Sequence, residues 1–87
     1  MKSILKFTHR AVLKSIIQKY GYHVPVGFKT MAKSFSGVDF TTIRRVFKIL
    51  EREKLVTIEH VNKRDNIYHI DKDVIKIITE REKQLNN

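Results

Sequence analysis

The sequence predicts a mainly helical α+β domain with a core of three helices, a two-stranded β-hairpin and an extra C-terminal helix. Three observations predict it. Apolar residues recur at helical spacing through the first half of the chain, the spacing changes to that of strands between Leu55 and Ile70, and it returns to helical after Asp73. At 87 residues the chain reads as one domain, 1–87, able to bury about 60–65% of its unfolded surface. The core must therefore draw on most of the elements, and little room is left for an enclosed active site.

Residues 1–7 form an N-terminal arm whose Ile4, Leu5 and Phe7 pack either as a strand or as an extra turn. A first helix is expected from Thr8, whose hydroxyl suits an N-cap, to about Tyr20. Ala11, Val12, Ile16 and Tyr20 trace its apolar stripe, Leu13 and Ile17 widen it, and Gly21 ends it. The following GYHVPVGF holds two glycines and the chain's single proline, so it reads as a loop, with Val24 and Val26 offering a brief strand. A short second helix, about Phe28 to Phe35, turns Met31, Ala32 and Phe35 inward. Gly37 can then take the positive φ of a tight interhelical turn.

Asp39 stands where an N-cap would accept the Thr42 amide, which starts a third helix running from Phe40 to Glu53. On it Ile43, Val46, Phe47 and Leu50 share one face, and Thr41, Arg45, Lys48 and Arg52 share the other. One side wants a core and the other wants anions. Leu55, Val56, Ile58 and Val61, with Thr57 and Glu59 between them, then suggest a strand, and residues 67–70 its antiparallel partner. The loop NKRDN joins them, with asparagines that tolerate positive φ and with Lys63 and Arg64 at its tip. His60 and His69 are placed to face each other across this hairpin. Asp71 or Asp73 caps the last helix, about Val74 to Gln84, where Val74, Ile77, Ile78, Arg81 and Leu85 share a face bordered by Ile75.

Net charge is +9, which favours an anionic partner such as nucleic acid or an acidic membrane surface. Residues 1–50 carry ten basic side chains and one acid, Asp39, whereas residues 51–87 carry eight of each, so the whole excess lies in the first half. The membrane-surface reading is poor, because the apolar stripe of the basic first helix is needed for the core. Without cysteine there is no disulfide, thiolate metal site or cysteine nucleophile. No apolar run approaches the ~20 residues of a membrane span, and Met1 to Phe7 is too short and too charged for a signal peptide. An intracellular, cytoplasmic protein is expected. His9, His23, His60 and His69 are the only nitrogen ligands and no two stand at i, i+4, so neither metal nor cofactor is expected. There is no Gly-rich phosphate loop and no nucleophile elbow, and Glu51, Glu53, Glu80 and Glu82 read as solvated helix positions, so the chain is not expected to be an enzyme.

The order helix, helix, turn, helix, hairpin, with the stretch TTIRRVFKILEREKLV, resembles the winged helix-turn-helix domains of small bacterial, archaeal, phage and viral transcription regulators over about residues 8–70. The recognition helix of that family has Thr or Ser near its start and one or two Arg, and it passes through a Leu-Glu-x-x-Gly-Leu-Val junction into the wing. Here Lys54 stands where the family usually has glycine, so the turn either tightens differently or tolerates a strained lysine.

The resemblance implies a sequence-specific double-stranded DNA-binding protein, a transcriptional regulator working by occupancy. Thr41 and Arg45 would then lie deepest in the major groove, with Thr42 and Arg44 on the flanks and Lys48 nearer the backbone. Lys63 and Arg64 would touch phosphates or enter a neighbouring minor groove, and Lys29 and Lys33 would lie over the backbone. Arg52 stands too far along to read bases. The C-terminal helix, residues 71–87, packs back on the first helix or dimerises. Regulators of this type often use such an addition to dimerise, so a homodimer on a pseudo-palindromic site is expected.

Each assignment has a plainer counterpart: Arg44, Arg45 and Lys48 as a solvated helix face, Thr41 and Thr42 as helix-start residues, Lys63 and Arg64 as an ordinary polar hairpin tip, Lys29 and Lys33 as surface lysines. Two other functions stay open. One is a non-specific architectural or replication accessory DNA-binding protein, and the other a winged-helix protein-interaction module. No small-molecule ligand can be inferred.

Overall fold

A computed structural model of the chain describes residues 3–62 and 65–86. Among them the elements run α1 (Phe7–Tyr20), β1 (His23–Val24), α2 (Phe28–Ser34), α3 (Phe40–Arg52), β2 (Val56–His60), β3 (Asn66–Ile70) and α4 (Val74–Leu85). The sheet is antiparallel with strand order β1-β3-β2. The four helices and this sheet are the mainly helical α+β class expected.

α1 starts one residue before the expected cap. Lys6 occupies the cap position with extended backbone and no side-chain cap, its carbonyl takes the Arg10 N–H at 2.9 Å, and Thr8 lies exposed inside the first turn. The arm secures this start in place of a hydroxyl. Leu5 is buried, and the Ile4 N–H donates to the Glu82 carboxylate at 2.9 Å, which also takes the Arg10 guanidinium. Residues 3–6 of the arm are neither strand nor helical turn, and Phe7, expected to pack within the arm, is the first residue of α1 and 86% exposed. Burial along α1 centres on Leu13 and Ile16, with Val12, Ile17 and Tyr20 half-buried and Ala11 exposed. Gly21 closes the helix at φ +79°, donating to the Ile17 carbonyl.

α2 and α3 follow their sequence signals closely. Met31 is buried with Ala32 and Phe35 beside it, and Gly37 turns the chain at φ +77°. The Asp39 carboxylate accepts the Thr42 N–H at 2.8 Å. Ile43, Val46, Phe47 and Leu50 are each 3% exposed or less. The Phe28 ring stacks on Tyr68 of β3 with centroids 5.0 Å apart and lies 5.1 Å from Phe47, which is itself 5.1 Å from Tyr68. Three rings thus lock α2, α3 and the sheet together. Tyr20 donates to the Ser34 hydroxyl, which donates to the Thr30 carbonyl, joining the C-terminal ends of α1 and α2.

The expected hairpin is present, but the sheet has a third strand. β1 pairs with β3 through His23 opposite His69 and Val24 opposite Tyr68, with Val24 fully buried. Pro25, which has no N–H to give a ladder, stops the pairing before Val26. In the hairpin His60 faces Asn66 and Thr57 faces His69, so His60 and His69 do not meet. Neither asparagine of the loop uses positive φ. Asn66 belongs to β3, and the Asn62 side chain closes the turn by accepting the Asp65 N–H at 2.9 Å.

At the end of α3, Lys54 sits at φ +61°. The Lys54 N–H donates to the Glu51 carbonyl (3.1 Å) and the Leu55 N–H to the Leu50 carbonyl (2.8 Å), with Leu50 and Leu55 buried in one cluster. This is a Schellman end with lysine in the glycine position. The helix stops at Arg52. Asp73 holds the cap position before α4 without a side-chain cap hydrogen bond, and the Asp71 carboxylate accepts the Asp73 N–H at 2.8 Å. Val74 and Ile78 join the core, while Leu85 is 51% exposed. Two glutamates expected in solvent are tied down: Glu53 takes the Arg81 guanidinium at 3.2 Å, and Glu82 bonds Arg10 and Ile4.

Candidate nucleic-acid interface

Because the apolar residues of α3 are committed to the core, helical spacing forces Thr41, Arg45, Lys48 and Arg52 outward, and all four are exposed. Arg44 is exposed as well, whereas Thr42 is half-buried and its amide is engaged by Asp39. That contact holds the Asp39 carboxyl below its usual range, chiefly through the Thr42 backbone hydrogen bond, with a smaller contribution from the Arg45 cation. Among the described residues Arg44, Arg45 and Lys48 have no ion-pair partner, and Arg52 reaches only Glu53, at 3.5 Å.

The cations border two hollows. Arg44 and Lys48, with Glu51, edge a cleft of about 190 Å³ whose other walls are Phe28, Phe47, Val56, Ile58 and Tyr68, between α3 and the sheet. Arg45, Lys48 and Arg52 edge a groove of about 440 Å³ with Ile49 and His9, on the side of α1. Lys48 borders both. The ring Nδ1 of His9 is enclosed and makes no hydrogen bond to any described residue. Burial, and then the Lys6 and Arg45 cations, hold the His9 ring below its ordinary pKa.

Lys29 and Lys33 are exposed on α2. Lys63 and Arg64, expected at the hairpin tip, lie outside the described residues. His9, which the sequence reading left out of this surface, belongs to it by position, and Arg52, which that reading placed on the outward face but too far along to read bases, edges the same groove. The outward spacing of Arg52 was visible in the sequence. The approach of His9, from a different helix, was not.

Among the described residues no three His, Asp or Glu side chains converge as a metal-holding group, and no helix is long and apolar enough to cross a membrane. Comparison with models of protein families, with curated proteins and with solved structures gives no match.

Proposed function

We propose that the protein binds double-stranded DNA with sequence preference, as a winged helix-turn-helix transcription regulator, with α3 in the major groove and the β2–β3 hairpin beside it as the wing. The observation that carries this reading is the outer face of α3, where Thr41, Arg45, Lys48 and Arg52 stand exposed on a helix whose opposite face is buried. A helix about 10–12 Å across fits a groove about 12 Å wide. Arginine there can grip guanine bidentately, and threonine can meet a thymine methyl or a phosphate. Lys29, Lys33, Lys63 and Arg64 serve phosphates in this reading, each releasing condensed counterions. The protein acts by occupying its site.

Selection of bound duplexes from a random pool, followed by titration of the selected site against unrelated DNA, tests the proposal. A preference of ~10³-fold or more supports it, and loss of the complex to competitor at once favours the non-specific architectural reading. Arg45→Ala should cost about 1–3 kcal/mol at the selected site and relax base preference, while Lys63→Ala should weaken all sequences alike and flatten the salt slope by about one unit. Equal effects of Arg45→Ala on selected and random DNA would overturn the division of roles.

A homodimer through α4 is the second part of the proposal. Val74 and Ile78 are used within the chain's own core, so the dimer surface would centre on exposed Leu85 with half-buried Ile75 and Ile77 at its margin. Sedimentation showing only ~10 kDa monomer at micromolar concentration would rule it out, and two half-sites about one helical turn apart in the selected DNA would support it.

A further inference from the structure

The outer face of the sheet carries a cluster that the DNA reading does not use. His23 of β1 and His69 of β3 are directly opposed, with Nδ1 atoms 2.7 Å apart and ring centroids 4.9 Å apart at 67°. From the other side, Glu59 of β2 lies diagonally across the ladder with its Oε1 2.7 Å from His69 Nε2. We propose that His23 and His69 form a surface site for a divalent transition-metal ion of tetragonal preference, copper(II) foremost, bound through both Nδ1 atoms with Glu59 as the carboxylate that positions His69.

The hydrogen-bond chain sets the tautomers. A carboxylate can only accept, so His69 carries its ring proton on Nε2, and the Nδ1 of the neutral ring presents a lone pair. His23 must then donate its Nδ1 proton across the 2.7 Å contact. A metal ion takes the place of that shared proton. The His23 proton moves through solvent to its own Nε2, both Nδ1 lone pairs face the ion, and no net proton is released while both rings are neutral. Carboxylate, histidine and metal in line is the usual way a ligand ring is held to its tautomer and made more basic.

Ligand type selects the ion. Ligand bonds of about 2.0–2.1 Å put two nitrogens roughly 2.9–3.3 Å apart, so the 2.7 Å contact has to open slightly and each ring has to swing its Nδ1 lone pair off the line joining the two nitrogens, which side chains at the sheet surface can do. Copper(II) stands highest among the divalent ions for nitrogen ligands. Glu59 cannot ligate the same ion, because it is bonded to the far nitrogen of His69. The remaining positions go to water, as a pair of protein ligands on an exposed sheet allows. Both rings sit on paired backbone, and the side chains of His69 and Glu59 are 33% and 55% exposed, so an ion can reach them without the fold opening.

The test is titration of the untagged, chelator-stripped protein with copper(II) against glycine as competitor, read by electron paramagnetic resonance. One bound ion with coupling to two nitrogens is expected. His23→Ala and His69→Ala should each weaken binding tenfold or more, Glu59→Ala by about tenfold, and His60→Ala, whose Nδ1 is bonded to Asn66, by less than twofold. Thermal melting without metal establishes that each variant is folded, and His23→Gln gives the same reading if alanine disturbs β1. Binding by His23→Ala and His69→Ala within twofold of the parent, or a loss in His60→Ala matching theirs, overturns the site. An unchanged Glu59→Ala overturns the role of the carboxylate.

Discussion

Replacing Lys54 with glycine should stabilise the protein. An L-residue in the left-handed region costs about 1–2 kcal/mol from the crowding of Cβ against the following carbonyl, and Lys54 sits there at φ +61° because the Schellman bonds of Glu51 and Leu50 demand it. Glycine removes that crowding but gives the unfolded chain more freedom, which offsets about 0.5–1 kcal/mol. The net gain is about 0.5–1 kcal/mol. For a chain of this length, 1 kcal/mol corresponds to about 4–8 °C in the melting midpoint, so an increase of roughly 3–6 °C is expected. Urea and thermal unfolding followed by helical circular dichroism would measure it. Lys54→Ala is the control, since it keeps the Cβ and should stay within about 0.5 kcal/mol of the parent. A Lys54→Gly protein no more stable than the parent, or an equal gain in Lys54→Ala, would refute the assignment of strain to this backbone.

Asp39→Ala should lower the melting temperature at neutral pH by leaving the Thr42 amide uncapped. Because the native Asp39 pKa lies below its ordinary 3.8, the difference from the parent is complete above that value and should vanish as the pH falls through the lowered one. The neutral His9 ring gives a parallel case: its native pKa lies below 6.5, so its contribution to stability is complete above pH 6.5 and declines below it, and His9→Gln should remove that part of the slope in melting temperature against pH. If α3 meets phosphates, their charge should draw a proton back onto His9, so DNA affinity should rise as pH falls from above 6.5 and His9→Gln should flatten the rise. Glu82→Ala strips the partner from both Arg10 and the Ile4 amide and should cost about 2 kcal/mol in urea unfolding. A loss under about 0.5 kcal/mol would show that the arm is held by Leu5 alone.

What the sequence made legible was local. Gly37, Asp39 and the Ile43, Val46, Phe47, Leu50 face each depend on a few neighbouring residues, and each stands where its spacing placed it. The features that were missed depend on partners far along the chain. The brief strand expected through Val24 and Val26 is present as β1, but its partner was not legible: the segment finds β3 some 46 residues later, so no local pattern distinguishes His23, and the pairing of His69 with His23 in place of His60 follows only from register. The cap of α1 was misplaced by two residues for the same reason: the cap that Thr8 would have supplied is replaced by the arm docking on Glu82. Glu53 and Glu82 lie in charge-rich helix ends that read as solvated, and only the folded chain brings Arg81 and Arg10 to them.

The charges of α3 bear on the proposal that its outer face meets DNA. Arg44, Lys48 and Arg52 stand at i, i+4 and i+8, so each neighbouring pair is like-charged at the spacing where opposite charges would stabilise a helix. Such pairs cost about 0.2–0.5 kcal/mol each, and no acid interrupts the face between Thr41 and Lys48. Glu53 is near enough to relieve Arg52, at 3.5 Å, but Arg81 competes for it at 3.2 Å; Lys48 has Glu51 three residues on, and among the described residues neither Arg44 nor Lys48 forms an ion pair. A helix whose outer side served only solubility would gain by interleaving acids here, as α4 does with Glu80 and Glu82 among Lys76, Arg81 and Lys83. The ladder is therefore a standing cost of the free protein that a phosphate backbone would remove. If the proposed DNA binding holds, added salt should steady the free fold by screening the same charges whose contacts to DNA it would weaken, two effects of opposite sign arising from one set of side chains.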